Sequence, residues 1–225
     1  MQYMIKTEGV TRCFKTSGGD FWALKGIDIE VPKGALTILK GRSGSGKTTL
    51  LNILGALDKP TDGKVLYEDV DIAQQDEGKR TKLRRMQIGF VFQSVALLPM
   101  MTAFENVEYA LRLTNYAGDR KARAIECLKL VGLSQRMDHL PQELSGGEQQ
   151  RVAIARAIAH KPKVIFADEP TGALDTTTGL QVVKIFKELT EKEGVTIVMT
   201  THDTGLMEIG DAVYELEDGE VVHGE

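Results

Sequence analysis

Gly41-Arg42-Ser43-Gly44-Ser45-Gly46-Lys47-Thr48-Thr49 fits the phosphate-binding pattern G-x-x-x-x-G-K-[ST] without a mismatch. Glycines in such a loop let backbone N–H groups turn inward around a phosphate, and a helix that starts there adds the positive end of its dipole. Lys47 is placed to reach the β- and γ-phosphates of a bound nucleotide, and the Thr48 hydroxyl to bind Mg²⁺. The chemistry is that of a nucleoside triphosphate. The loop alone does not say which of the many phosphate-loop families it serves.

Further along, Val164-Ile165-Phe166-Ala167-Asp168-Glu169 carries an apolar run into two carboxylates. Open α/β sheets bind their ligands at that end of a strand. Asp168 suits Mg²⁺, held directly or through water, while Glu169, pointing elsewhere as the next residue, can polarise a water for attack on a γ-phosphate. In Leu144-Ser145-Gly146-Gly147-Glu148-Gln149-Gln150-Arg151, Ser145 and Glu148 have capping-box spacing ahead of a helical run through Val152, Ala155, Ile158 and Ala159. Two glycines and a serine hydroxyl at a helix start make a second anion site. A single fold has no evident need of one so far from the first.

The elements that must position these groups alternate. Gln2–Val10 and Phe21–Val31 read as strand material around a turn at Ser17-Gly18-Gly19-Asp20, and Pro32-Lys33-Gly34 turns into a strand at Ala35–Leu39 just before the phosphate loop. The loop opens a helix whose apolar side is Leu50-Leu51-Asn52-Ile53-Leu54. Asp58–Gly63 is a break, Lys64–Tyr67 a strand, Lys79–Arg85 a charged helix, and Ile88–Phe92 an apolar strand ending at Gln93. From about residue 94 to 139 the pattern is helical, with Thr102 as a cap and a second helix over Asp119–Val131. Strands return at 163–168 and 195–200 with a helix over about 178–193 between them, and a hairpin around Asp218-Gly219 follows. This order predicts an α/β sheet wrapped on both faces, with an inserted helical subdomain.

Length and composition agree with that reading. A chain of 225 residues, 42% hydrophobic and 27% charged, suits one α/β domain with an insertion. The net charge of −4, from 28 basic and 32 acidic side chains, suggests no bulk affinity for nucleic acid. Cys13 and Cys127 match no metal spacing and read as structural thiols of a reducing compartment. The first residues hold no signal-peptide stretch, and no run approaches the roughly 18 apolar residues of a membrane span, so a membrane role calls for a partner.

The phosphate loop, Gln93, Leu144–Gln150, Ala167–Asp175 and Thr201-His202-Asp203 occur in this order. Together they resemble the ATP-binding subunit of an ABC transporter, over essentially the whole chain. Leu51–Gly55 before Leu57-Asp58-Lys59-Pro60-Thr61, Ile88–Gln93 and Asp168–Asp175 are similar to the macrolide-export, lipoprotein-releasing and bacitracin- or heme-efflux branch, whose ATPases pair with FtsX-like permeases. The resemblance implies a phosphate-loop ATPase core (a mostly parallel sheet with helices on both faces) plus an N-terminal antiparallel β region. It implies one domain over residues 1–225, with the core at about 1–93 and 140–225 and the helical subdomain at about 94–139.

It also implies the cofactors ATP and Mg²⁺ and a second copy of the chain in an ATP sandwich. There the Ser145, Gly146 and Gly147 segment of one copy contacts the γ-phosphate bound to Lys47 of the other, and Asp175 lies at the seam. By the same resemblance Gln93 senses Mg²⁺ and the attacking water, and His202 hydrogen-bonds the γ-phosphate. Phe14 falls where the family has an adenine-stacking aromatic, most often tyrosine, with Phe21 and Trp22 as alternatives. Arg42 stands where this branch commonly has proline, a departure with no functional meaning attached.

The expected product is a hydrolase at the cytoplasmic face of the membrane, held there by its permease and exporting antimicrobial, peptide, heme or lipid-type cargo. A rival is a cell-division-like ATPase that signals to a membrane partner without transport. A nucleic-acid ATPase is disfavoured, because repair relatives carry a coiled-coil or zinc insertion and ribosome-associated ones two cassettes in tandem. The cargo is not legible.

Overall fold

The structure, a computed structural model, describes residues 2–224; Met1 and Glu225, the ends of the domain as read from the sequence, lie outside it. The strands that run through the middle are buried at nearly every position and mostly apolar. β4 (Leu36–Lys40), β8 (Val164–Ala167) and β9 (Thr196–Thr201) are buried along their length, save for Lys40 at the end of β4. A strand covered on both faces has no solvent side on which to place polar residues, so its sequence reads as a continuous run. These strands pair in parallel in the order β10-β4-β9-β8-β7, with β7 at Ile88–Val91 and β10 at Ala212–Glu217. β11 (Glu220–Gly224) closes the edge as an antiparallel hairpin with β10.

Two cores lie on the two faces of this sheet, and alternate residues of each strand feed them. Ile165 and Ala167 face α3 (Ala103–Leu113), α4 (Arg120–Leu130), α5 (Gly146–Ile158) and α6 (Thr176–Glu193), packing with Val107, Leu128, Val152 and Phe186. Val164 and Phe166 face the other way, onto α1 (Lys47–Leu54) and a second, antiparallel sheet. That sheet joins β2 (Gly19–Ile27), β1 (Tyr3–Thr16), β5 (Asp62–Tyr67) and β6 (Val70–Asp71), with β3 (Glu30–Pro32) also on β1. Between residues 94 and 139 the only regular elements are α3 and α4, and α5 packs against both. α2 (Glu77–Gln87) precedes β7.

Element ends differ from the sequence reading where polar chains break the pattern. β1 continues past Val10 to Thr16 because its outer half pairs along β2, a ribbon that needs no apolar alternation. β7 stops at Val91, one residue before the apolar run ends. α6 starts at Thr176 rather than near 178, since Asp175 accepts from the Thr178 N–H as its cap.

Candidate active site

Four of the five parallel strands, β4, β9, β8 and β7, lead at the same edge into segments that carry polar groups. β4 leads into the phosphate loop, where Gly46 caps α1 in the left-handed region, φ 105°. A Cβ at Gly46 would lie 2.7 Å from the Ala23 carbonyl oxygen, so no other residue fits. Lys47 is the first residue of α1, and its side chain is 5% exposed. It donates to the carbonyls of Gly41 and Arg42 at 2.8 and 3.0 Å. Its nearest carboxylate oxygen, on Glu169, is 4.0 Å away. A buried ammonium with two neutral acceptors and a distant anion has charge left to offer, which fits a phosphate. Around it Ser43, Gly44 and Thr48 are exposed, Thr49 is half-buried, and Ser45 Oγ is buried without a hydrogen-bond partner.

β8 hands over the acids. Asp168 Oδ1 accepts from Thr48 Oγ1 at 3.1 Å and from Thr200 Oγ1 at 2.8 Å. Carboxylate and hydroxyl together are hard oxygen donors of the kind Mg²⁺ takes, one carboxylate being enough where phosphates and waters complete the octahedron. Glu169 turns away from Asp168 because its backbone is left-handed, φ 42°. Its N–H donates to Thr200 Oγ1 at 2.8 Å, which holds that conformation. The carboxylate points among three groups: Gln93 Nε2 at 3.4 Å, His202 Nδ1 at 3.6 Å and Lys47 Nζ at 4.0 Å. Four segments distant in sequence thus meet around one carboxylate. Such a centre can bind a polyphosphate at Lys47 and orient a water at Glu169.

Thr200 was not singled out by the sequence reading, yet it anchors both acids. No local pattern marks it, since β9 also carries Thr196 and Thr201; the pairing of β9 with β8 is what sets Thr200 level with the acids.

Ser145, Gly146, Gly147 and Asp175 form a different cleft of about 460 Å³, lined also by Arg151 and Thr178. Ser145 caps α5 in a full capping box, its N–H and hydroxyl donating to Glu148 Oε2 at 2.9 and 3.0 Å. The Ser145 N–H holds the Glu148 carboxyl below its ordinary range, and the Thr178 hydroxyl does the same for Asp175. At Gly147 a Cβ would lie 2.4 Å from Thr178 Cγ2, so glycine is what lets the two helix starts sit side by side. No residue of the phosphate loop lines this cleft. Phe14 lies apart from both, on the β1–β2 ribbon opposite Phe21, 37% exposed, with the Arg12 guanidinium 4.5 Å from its ring centre. Phe21 and Trp22 are exposed on the same ribbon.

The sequence profile described as ABC transporter matches residues 24–172, from β2 through the acids of β8. The chain belongs to the ABC transporter family. It is 46% identical over 224 residues, 97% of its length and 95% of the relative's, to an uncharacterised ABC transporter ATP-binding protein, MJ0796, of Methanocaldococcus jannaschii. It is 43% identical to the lipoprotein-releasing system ATP-binding protein LolD of Bacteroides thetaiotaomicron, covering 97% of this chain and 99% of that one. It is 42% identical to the macrolide export ATP-binding/permease protein MacB of Rhodopirellula baltica, covering 96% of this chain and 32% of that longer protein. A solved dimeric, post-hydrolysis structure of MJ0796 bound to ADP and Pi superposes with a TM-score of 0.91 at 44% identity, covering 99% of this chain and 98% of that one. Within the ABC transporter family the chain is an ATPase cassette of the branch that includes MacB, LolD and MJ0796. Among the described residues no helix is long and apolar enough to cross a membrane.

Proposed function

We propose that this chain binds and hydrolyses Mg-ATP in a head-to-tail pair of identical copies and so drives an integral membrane partner. The observation that carries this reading is the division of the site. Lys47, Asp168, Glu169, Gln93 and His202 meet at one sheet edge, while Ser145, Gly146, Gly147 and Asp175 form a separate anion-type cleft that shares none of those residues. Two half-sites on one chain suit two copies, each half completing the other. The dimeric form of the solved relative supports the same arrangement.

In this reading the loop from Gly41 to Thr49 cradles the phosphates, and Lys47 exchanges its bonds to the Gly41 and Arg42 carbonyls for bonds to phosphate oxygens. Asp168 and the Thr48 hydroxyl would hold Mg²⁺, with Gln93 beside them, and the bound ion would supply positive charge against the phosphates. Glu169 accepts the proton of the attacking water, Gln93 helps to place that water, and His202 donates toward the γ-phosphate. From the facing copy, the α5 N-terminus with Ser145 and Gly147 supplies N–H groups to the same γ-phosphate, and Asp175 lines the seam. Phe14 stacks on adenine.

The membrane partner has a surface to meet. A groove of about 590 Å³ between α2, β7 and α3 is walled by Leu57, Phe90, Phe92, Leu98, Tyr109 and Leu113. Leu57, Leu98, Tyr109 and Leu113 are exposed large hydrophobics, more than a free surface gains from. We assign it to an FtsX-like permease, which places the chain at the cytoplasmic face of a membrane, and the cargo to the antimicrobial, peptide, heme or lipid classes that exporters of this branch carry. Gentle solubilisation of native membranes with a tagged chain tests this. Stoichiometric recovery of an integral membrane protein is expected, and recovery only from the soluble fraction with nucleic acid or ribosomes overturns the transport reading.

A further inference from the structure

Arg12 sits two residues before Phe14 on β1, and side chains two apart on a strand share a face. The guanidinium lies 4.5 Å from the centre of the Phe14 ring. Its Nη2 also holds both oxygens of Asp58, at 3.0 and 2.9 Å, while Nε is buried without a hydrogen-bond partner. The anchor is itself fixed from several sides. Asp58 N–H donates to the Asn52 carbonyl, Asp58 Oδ1 accepts from the Lys59 N–H at 2.8 Å, and the Asp58 carbonyl accepts from the buried Arg80 at 2.6 Å. On either side of Arg12 the backbone of β1 is tied to the same segment: Thr61 N–H to the Thr11 carbonyl at 2.8 Å, and Cys13 N–H to Thr61 Oγ1 at 2.9 Å. A register slip between Arg12 and Cys13 in the pairing with β2 falls at the same place, and such irregularities re-aim side chains near functional sites.

We infer that Arg12 is the positioning residue of the adenine subsite, with Asp58 as its clamp; this rests on the reading of Phe14 as the adenine-stacking ring. The cation occupies one part of the ring's surroundings and fixes its rotamer, while 37% of the residue remains exposed to receive a base. A ring that no longer has to be immobilised on binding loses less entropy when adenine arrives, and a cation at its face draws off π density, which favours stacking on an electron-rich base. Phosphate binding does not pass through this contact. The segment that carries Asp58 leaves the end of α1, so the clamp references the base pocket to the same helix whose start holds the phosphates.

The test separates base from phosphate. Affinities for Mg-ATP and for inorganic tripolyphosphate with Mg²⁺ are measured by competition against a fluorescent ATP analogue, for wild type, Arg12→Met, Arg12→Lys, Phe14→Ala and the Arg12→Met/Phe14→Ala double variant. Arg12→Met is expected to weaken ATP by about five- to tenfold and to leave tripolyphosphate unchanged. Arg12→Lys retains most of the ATP preference, and the double variant loses no more than Phe14→Ala alone. Equal weakening of both ligands by Arg12→Met, or additive losses in the double variant, overturns the positioning role. An unchanged ratio of ATP to tripolyphosphate affinity in Phe14→Ala instead overturns the adenine reading of Phe14, and the inference falls with it.

Discussion

At the residue scale, the roles proposed for Lys47 and Glu169 separate binding from turnover. Lys47→Ala removes the buried cation of the phosphate loop and is expected to abolish nucleotide binding, read by titration with a fluorescent ATP analogue. Glu169→Gln keeps the shape and the contacts with Gln93 and His202 but cannot take a proton. Turnover should fall at least about 100-fold, the size of a general-base contribution, with ATP affinity intact. Light scattering should then show the variant pairing in Mg-ATP. Robust hydrolysis by Glu169→Gln would remove the assignment of the base. Gln93, Asp168, Glu169 and His202 could be picked out because each follows a buried strand within two residues, and the run that buries a strand also announces where its polar end must emerge; Lys47 was marked by its glycine loop. Thr200 was not, because a buried threonine in a strand looks the same whether it pairs with a neighbour or merely packs. Only the pairing of β8 beside β9 sets it against Asp168. Arg12 and Asp58 were hidden for a related reason: 46 residues separate them, and no local pattern links an arginine in a strand to an acid after a helix.

At the scale of elements, caps decide where the helices begin and one arginine pair decides how α2 sits. Ser145, Thr102, Asp119 and Asp76 each accept a backbone N–H three residues on, and the first two caps could be named from sequence. Ser145→Ala should cost about 1 kcal/mol of stability, a fall of about 2–4 °C in Tm for a chain of this size. Glu148→Ala breaks the same capping box yet keeps the hydroxyl. If Ser145 touches the facing copy's nucleotide, Ser145→Ala loses far more turnover than Glu148→Ala at a similar Tm, and equal losses would reduce Ser145 to a cap. Arg80 is 4% exposed and donates to the Ala56 and Asp58 carbonyls at 2.8 and 2.6 Å; Arg84 adds a bond to the Ala56 carbonyl at 2.6 Å. Arg80→Met takes its donor from the part-buried Asp58 carbonyl and leaves the Ala56 carbonyl to Arg84 alone, and should cost about 1–2 kcal/mol, read from the urea midpoint. The charged character of α2 was plain in the sequence; that its guanidiniums point inward to clamp the end of α1 was not, because charge patterns are the same for a solvated face.

At the scale of the whole molecule, stability and assembly carry their own signatures. His160 lies between α5 and β7, its Nε2 3.1 Å from the Ile88 carbonyl, and burial lowers its pKa from the ordinary 6.5. Above pH 6.5 the ring is neutral in both the folded and the unfolded chain and contributes no pH dependence. As the pH falls below 6.5 the unfolded chain takes up a proton that the folded chain refuses, so stability is lost until the pH passes the lower folded value. The carboxyls held below their ordinary range, such as Glu148 and Asp175, titrate at more acid pH and leave this window to the histidine. His160→Gln should flatten the loss between pH 6.5 and 5.5 in urea melts. Burial of Cys127 on α4 raises its thiol to about 11, so Cys127 should resist alkylating reagents in the native chain.

The left-handed backbone at Glu169 sets durability against work. A non-glycine residue in that region carries strain of order 1 kcal/mol, and glycine or asparagine would relieve it. A library of this gene screened only for heat resistance should therefore accumulate replacements at position 169 and return molecules that outlast the parent while turning over no ATP.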